Sequence, residues 1–171
     1  NIISAAMRLV EKEIKITLKH VKKKPLISPE LMAFIGLSVI INHLEPDTKM
    51  TTLSHMIGKA IIDECHAKEF KLKRNLTRTQ LIAELRKHNV TKYKKSYIVQ
   101  LGVLVAAAIH AKTNLIDFTY KKLGKRRFRM VSPSDDMLMY YDIYVRDNEF
   151  SEPLKRPIES FPIQFDENLV G

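Results

Sequence analysis

The chain has 171 residues, with 29 Lys or Arg against 19 Asp or Glu, a formal charge of +10. A composition that is 45% hydrophobic and 28% charged, with only seven Pro and five Gly, excludes a disordered, fibrous or linker-rich protein. One cysteine, Cys65, excludes a disulfide framework, and no apolar run reaches the roughly 18 residues of a spanning helix, so a cytoplasmic protein with no membrane partner is expected.

Residues 2–21 space Ile3, Met7, Val10, Ile14, Leu18 and Val21 by three and four, an amphipathic helix ended by Lys22-Lys23-Lys24-Pro25. Ser28-Pro29-Glu30 supplies an N-cap, a proline at the first helical position and a first-turn acid, opening a mostly apolar, central helix to about His43. Pro46-Asp47-Thr48 is a turn. Thr51 or Thr52 then begins a third helix with Leu53, Ile57, Ala60 and Ile61 on one face and Lys59, Asp63 and Lys68 elsewhere. Thr77 caps a shorter helix carrying Leu81, Ile82 and Leu85, and Thr91 precedes a long one in which Ile98, Leu101, Gly102, Val105, Ala108 and Ile109 recur. Gly58 and Gly102, inside helical patterns, are expected to let helices pack closely.

The period changes after Asn114. Ile116, Phe118 and Tyr120 alternate with Asp117 and Thr119, and Phe128 and Met130 alternate with Arg127 and Arg129, the period of two that strands require. A β-hairpin over about 114–131 follows, its tip at Lys121–Arg126 with Gly124 free to take a positive φ. Ser134 with Asp135 and Asp136 opens a last helix to about Arg146, and Pro153, Pro157 and Pro162 impose an extended tail. The expected organisation is a mainly α domain over 1–150 with one long β-hairpin, followed by a proline-containing tail over 151–171.

Few groups converge for catalysis. Cys65 and His66 are adjacent, hence about 100° apart on a helix, and no second Cys/His pair stands at zinc-ligand spacing. Asp63-Glu64 reads as helix surface charge, and the isolated glycines form no phosphate loop. Neither a catalytic residue nor a bound metal or other cofactor is expected of this chain.

Charge is unevenly spread. Between Lys71 and Arg129 there are 16 basic residues and two acidic ones, a balance of +14 in 59 positions, whereas the flanks sum to −4. A basic middle with acidic flanks is the footprint of a polyanion-binding surface. Five of the seven residues in Lys121–Arg127 are basic, and the exception beside the turn glycine is Leu123. Cations gripping phosphates around an apolar wedge are the parts used to unstack base pairs; the other reading is an ordinary turn with Leu123 packed on a neighbour. Lys22, Lys23 and Lys24 form a second basic knot that either holds phosphates or is solvated.

The order of elements is also familiar. Thr51 to Glu64, with the core Ile57-Gly58-Lys59-Ala60-Ile61-Ile62-Asp63-Glu64, resembles a helix in the N-terminal, promoter-binding domain of single-subunit DNA-directed RNA polymerases of the phage and mitochondrial type. Pro29 to Ile35 looks like the helix after that family's AT-rich recognition loop, which would map near Lys22–Ser28, although the interval here is short. Leu101-Gly102-Val103 through Ile109 looks like the helix leading into the intercalating hairpin, and Asn114–Val131 like the hairpin itself. Coverage runs from about Lys22 to Pro162, with scattered identities.

The resemblance implies promoter binding and strand separation in transcription. Leu123, beside Gly124, would enter the upstream edge of the bubble, with Lys121, Lys122, Lys125, Arg126, Arg127 and Arg129 holding the strands. The implied partners are duplex promoter DNA, the melted template strand, and a catalytic polymerase subunit or C-terminal domain in which Mg2+ serves nucleotidyl transfer. Palm and fingers motifs are not among the matched residues, so the expectation is an N-terminal fragment or the small subunit of a split, heterodimeric bacteriophage polymerase acting in an infected bacterial host. A stand-alone DNA- or RNA-binding regulator with a basic surface, and a helical protein whose basic face meets an acidic partner, are the competing readings.

Overall fold

An apolar segment without an amphipathic face must be covered on all sides, and residues 31–41 are such a segment. The computed structural model describes residues 2–77, 79, 80, 83 and 94–140. In chain order its elements are α1 (Ile2–Leu18), α2 (Pro29–His43), β1 (Thr48–Lys49), α3 (Met50–Arg74), α4 (Lys95–Lys112), β2 (Ile116–Leu123), β3 (Arg126–Pro133) and α5 (Asp135–Tyr140). The architecture is mainly helical with a three-stranded antiparallel sheet in the order β1-β3-β2. Helices α1, α3 and α4 all pack on α2, which buries every residue from Met32 to Ile41 except Phe34.

Local signals explain most boundaries. Ser28 caps α2 by accepting from the Leu31 N–H at 3.2 Å, with Pro29 at the first helical position. Helix α1 buries Val10, Ile14 and Leu18, and stops at Leu18 rather than Val21 because the His20 and Val21 N–H groups turn back to Thr17 and Leu18 carbonyls three residues away. Thr77 and Gln80 exchange the reciprocal bonds of a capping box, the Gln80 N–H donating to the threonine hydroxyl at 3.3 Å. Leu81, Ile82 and Leu85, which the expected helix would carry, lie outside the described residues. So do the stretch from 141 to Arg146 and the proline tail of 151–171.

Two expectations are corrected by the third helix. It starts at Met50, not at Thr51 or Thr52, because Thr48 and Lys49 are held as a short strand opposite Val131 and Met130. Asp47, at φ 57°, swings the chain into that strand and donates its N–H to the Ser132 hydroxyl at 3.0 Å. The second correction concerns charge. Lys59 and Asp63 are not on a solvated face: they are 8% and 2% exposed, and the ammonium donates to the carboxylate at 2.6 Å. The sequence spacing of four put them on one stripe with His55, which is also buried, and α3 is enclosed on that side as well as on its apolar one.

Helices α3 and α4 cross through two glycines. A methyl group at Gly102 would overlap the Ser54 carbonyl, and one at Gly58 would overlap the Ile98 carbonyl, so the contact is backbone against backbone on both sides. Such a crossing admits no Cβ. Ordinarily Gly→Ala inside a helix stabilises by about 1 kcal/mol. Here the overlap with backbone cannot be relieved by a rotamer change, and Gly102→Ala is expected to cost about 3 kcal/mol in urea unfolding, the upper part of the range for overpacking.

Desolvation by burial pushes the Asp63 carboxyl up to about 6, against the pull of Lys59, which lowers it. Its folded form holds a proton more tightly than the unfolded chain does, so this group's contribution to stability falls as pH rises from about 4 to about 6. His55 acts oppositely: burial first, then Lys95 and Lys59, lower its value, and stability is lost as pH falls below the ordinary histidine range. Asp63→Asn removes the first effect and leaves the second, so the variant should lose more stability than the native chain between pH 7 and pH 5. At pH 7, Asp63→Ala strands a buried ammonium and should cost about 3–5 kcal/mol, more than the paired change Lys59→Met with Asp63→Leu. Denaturant unfolding of the variants checks both expectations.

Candidate nucleic-acid interface

The hairpin stands on a tied base. Thr113 closes α4 by donating both its N–H (2.9 Å) and its hydroxyl (2.5 Å) to the Ile109 carbonyl. Only Asn114 and Leu115 separate it from β2. At the other foot, the Ser134 N–H donates to the Leu115 carbonyl at 3.0 Å, its hydroxyl donates to the Asn114 carbonyl, and the same oxygen accepts the Met137 N–H at 3.0 Å. One serine therefore joins the start of β2, the end of β3 and the start of α5. Buried Ile116, Met130 and Val131 anchor the lower half in the core.

Above the Thr119–Met130 pair the ribbon leaves the core, and four more pairs carry it about 14 Å outward at roughly 3.4 Å per residue. The tip is tighter than the expected Lys121–Arg126. Leu123 pairs with Arg126, leaving Gly124-Lys125 as a two-residue turn in which Gly124 alone has positive φ, 65°, the II′ pattern whose twist matches the strands. Lys121, Lys122 and Leu123 are thus strand residues. The hairpin spans 116–133 rather than 114–131 because pairing continues to Pro133.

Register sorts the side chains onto two faces, since residues paired across an antiparallel ladder point the same way. One face runs Ile116, Phe118, Tyr120 and Lys122 with Val131, Arg129 and Arg127 opposite. The other carries Asp117, Thr119, Lys121 and Leu123 with Met130, Phe128 and Arg126. Lys121, Lys122, Lys125, Arg126, Arg127 and Arg129 are all exposed, and Leu123 is 47% exposed without joining the core. The packed-turn reading of Leu123 is not what the fold shows.

Aromatic rings order the cations. Arg127 lies 4.3 Å from the Tyr120 ring centre and Arg129 4.0 Å from that of Phe118, which also stacks on His110 at 4.0 Å. On the opposite face Lys49, delivered by β1, lies 4.8 Å over Phe128. Sequence reasoning named neither Lys49 nor Tyr120 as a site residue. A two-residue strand leaves no periodic signal, and Tyr120 falls among the apolar positions of β2; its distance from the buried foot, four residues beyond Ile116, is what marks it as outside the core.

Lys22, Lys23 and Lys24 are exposed in the loop after α1 but are not next to the hairpin. That loop is fixed to the start of α4, where the Tyr97 hydroxyl donates to the Lys23 carbonyl at 2.7 Å and the Lys23 ammonium lies 5.7 Å from the ring. The hairpin leaves from the far end of the same helix. The axial rise from Tyr97 to Thr113 is about 24 Å at 1.5 Å per residue, so the points at which the two basic regions are anchored stand that far apart along the helix.

Other candidate chemistry is buried. Cys65 is inside the core, where desolvation pushes its thiol up and away from reactivity, and Asp63 is committed to Lys59. Among the described residues no group of three His, Cys, Asp or Glu side chains could hold a metal ion, and no helix is long and apolar enough to cross a membrane. No family model and no curated protein matches the chain.

Cations on a ribbon that projects from the core are placed to meet phosphates without any change in the fold. Replacing Lys121, Lys122, Arg126 and Arg127 by Ala should leave the unfolding transition unchanged. It should also reduce the slope of log affinity for DNA against log salt by about 3 to 4, near 0.9 for each phosphate no longer neutralised. Titrations at four salt concentrations read this directly, and an unaltered slope would take the hairpin out of the DNA interface.

Proposed function

We propose that the chain binds and opens promoter DNA as the N-terminal domain or small subunit of a single-subunit, phage-type DNA-directed RNA polymerase. The observation that carries the reading is Leu123: a large apolar side chain, half in solvent, at the end of a rigid ribbon whose neighbouring side chains are cations. An isolated exposed leucine needs no explanation, but one raised from the core on a braced arm among phosphate-seeking groups has a use. It can enter a base step, replacing stacking with apolar contact, while Lys121, Lys122, Lys125, Arg126, Arg127 and Arg129 hold the backbones on either side.

Lys22–Lys24 then serve as a second grip on the duplex upstream of the opened step. Two grips on one helix axis fix the register at which the wedge acts. The mechanism is mechanical and electrostatic: binding energy gathered from phosphates is directed to one step, where unstacking costs a few kcal/mol. Nucleotidyl transfer belongs to the catalytic part of the polymerase, which supplies two Mg2+ ions for it.

Leu123→Ala tests the wedge. Affinity for fully paired DNA should be retained, because the cations remain, whereas the open fraction in the polymerase assembly should fall about tenfold, the equivalent of one stacking step near 1.4 kcal/mol. The readout is 2-aminopurine fluorescence at the bubble edge. Unchanged opening by the variant would refute the wedge.

A further inference from the structure

The two faces of the hairpin are not equivalent, and the face that does not carry Leu123 holds an unused aromatic surface. Tyr120 is 61% exposed, the most exposed of the large hydrophobic side chains among the described residues. Its hydroxyl has no hydrogen-bond partner among the described residues, so nothing polar in the fold explains a tyrosine there. Below it on the same face Phe118 is taken up by His110 and Arg129 at 4.0 Å each, whereas Tyr120 has only the Arg127 guanidinium, 4.3 Å from its centre. Lys122 stands next outward on this face, and Arg129 is directly opposite Tyr120 in register.

We propose that Tyr120 is a stacking platform for an unpaired base of one separated DNA strand, with Arg127, Arg129 and Lys122 on the phosphates flanking that base; the proposal rests on the strand-opening reading and assigns one face of the hairpin to one strand. A base in a duplex has both faces covered, so a flat exposed ring among cations selects single strands over paired ones. Geometry suits a strand running along the ribbon. Side chains on one face recur every two residues, about 6.8 Å, which is twice the rise of a stacked nucleotide, so with a base on Tyr120 the Arg129 guanidinium is across the ladder from that base and Lys122 is two nucleotide rises further out. The only acid on the ribbon, Asp117, points to the other face, which leaves this one cationic throughout its exposed length. That sign favours a polyanion over a protein hot spot.

The experiment titrates the full chain into a ten-residue oligothymidylate carrying one central 2-aminopurine, alongside Tyr120→Phe and Tyr120→Leu variants. Tyr120→Phe keeps the ring and should bind and quench as the native chain does. Tyr120→Leu keeps apolar bulk without the ring and should bind about tenfold more weakly and lose the quenching. Because Tyr120 lies outside the core, both variants should unfold at the native denaturant midpoint. Native-like binding and quenching by Tyr120→Leu would overturn the proposal and leave the face to another partner, such as an acidic protein. If that happens while the native chain still prefers bubble over duplex DNA, only the stacking proposal falls; if the native chain shows no such preference, the strand-opening reading falls with it.

Discussion

Everything that projects from this fold depends on a contact of backbone against backbone. At the α3–α4 crossing, Gly58 faces the Ile98 carbonyl and Gly102 faces the Ser54 carbonyl, each helix offering its bare backbone to the other. Two glycines spaced reciprocally fix both the separation and the axial register of the pair. Helix α4 is the beam that carries the hairpin, so this register decides where Thr113 ends the helix and in which direction β2 departs. The same beam holds the Lys22–Lys24 loop at its other end through Tyr97. A shift at the glycine contact would move both basic regions together.

The second constraint is electrostatic. Helix α3 is enclosed on nearly every side between Leu53 and His66, and its stripe of His55, Lys59 and Asp63 is buried with it. A buried ion pair is weak evidence for stability, since well-packed apolar groups often do as well. Its firmer consequence is local: Lys59 and Asp63, four residues apart on one helix, satisfy each other, so this stripe can be buried without leaving either charge unpaired. The ion pair at Lys59 and Asp63 and the glycine contact at Gly58 thus enclose neighbouring faces of the same helix.

Much of this was legible in the residues, for identifiable reasons. The α2 cap and its central burial follow from Ser28-Pro29-Glu30 and an apolar run with no polar face. The helix-packing role of Gly58 and Gly102 follows from their place inside periodic segments, and the hairpin from a change of period after Asn114. Three features were not legible. Thr48–Lys49 is a strand only because β3, distant in the chain, arrives to pair with it. Lys59 and Asp63 look solvated to any rule that assigns charge to the surface, because burial of a pair depends on what surrounds it. The tight turn at Gly124-Lys125 required the register of Leu123 with Arg126, which alternation alone does not set. At the candidate interface the cations and Leu123 could be named from composition, but their division into two faces and the exposure of Tyr120 are properties of the ladder.

The proposal that the braced ribbon opens DNA is tested most directly by comparing paired and premelted substrates. Fluorescence anisotropy of the full chain with a labelled duplex, and with the same duplex carrying a central bubble, separates the two at matched charge. A strand-opening hairpin spends no free energy on unstacking a bubble, so binding to it should be tighter by about tenfold, and the preference should persist as salt rises. Equal affinity for the two at every salt concentration would contradict strand opening and reduce the hairpin to a generic polyanion grip.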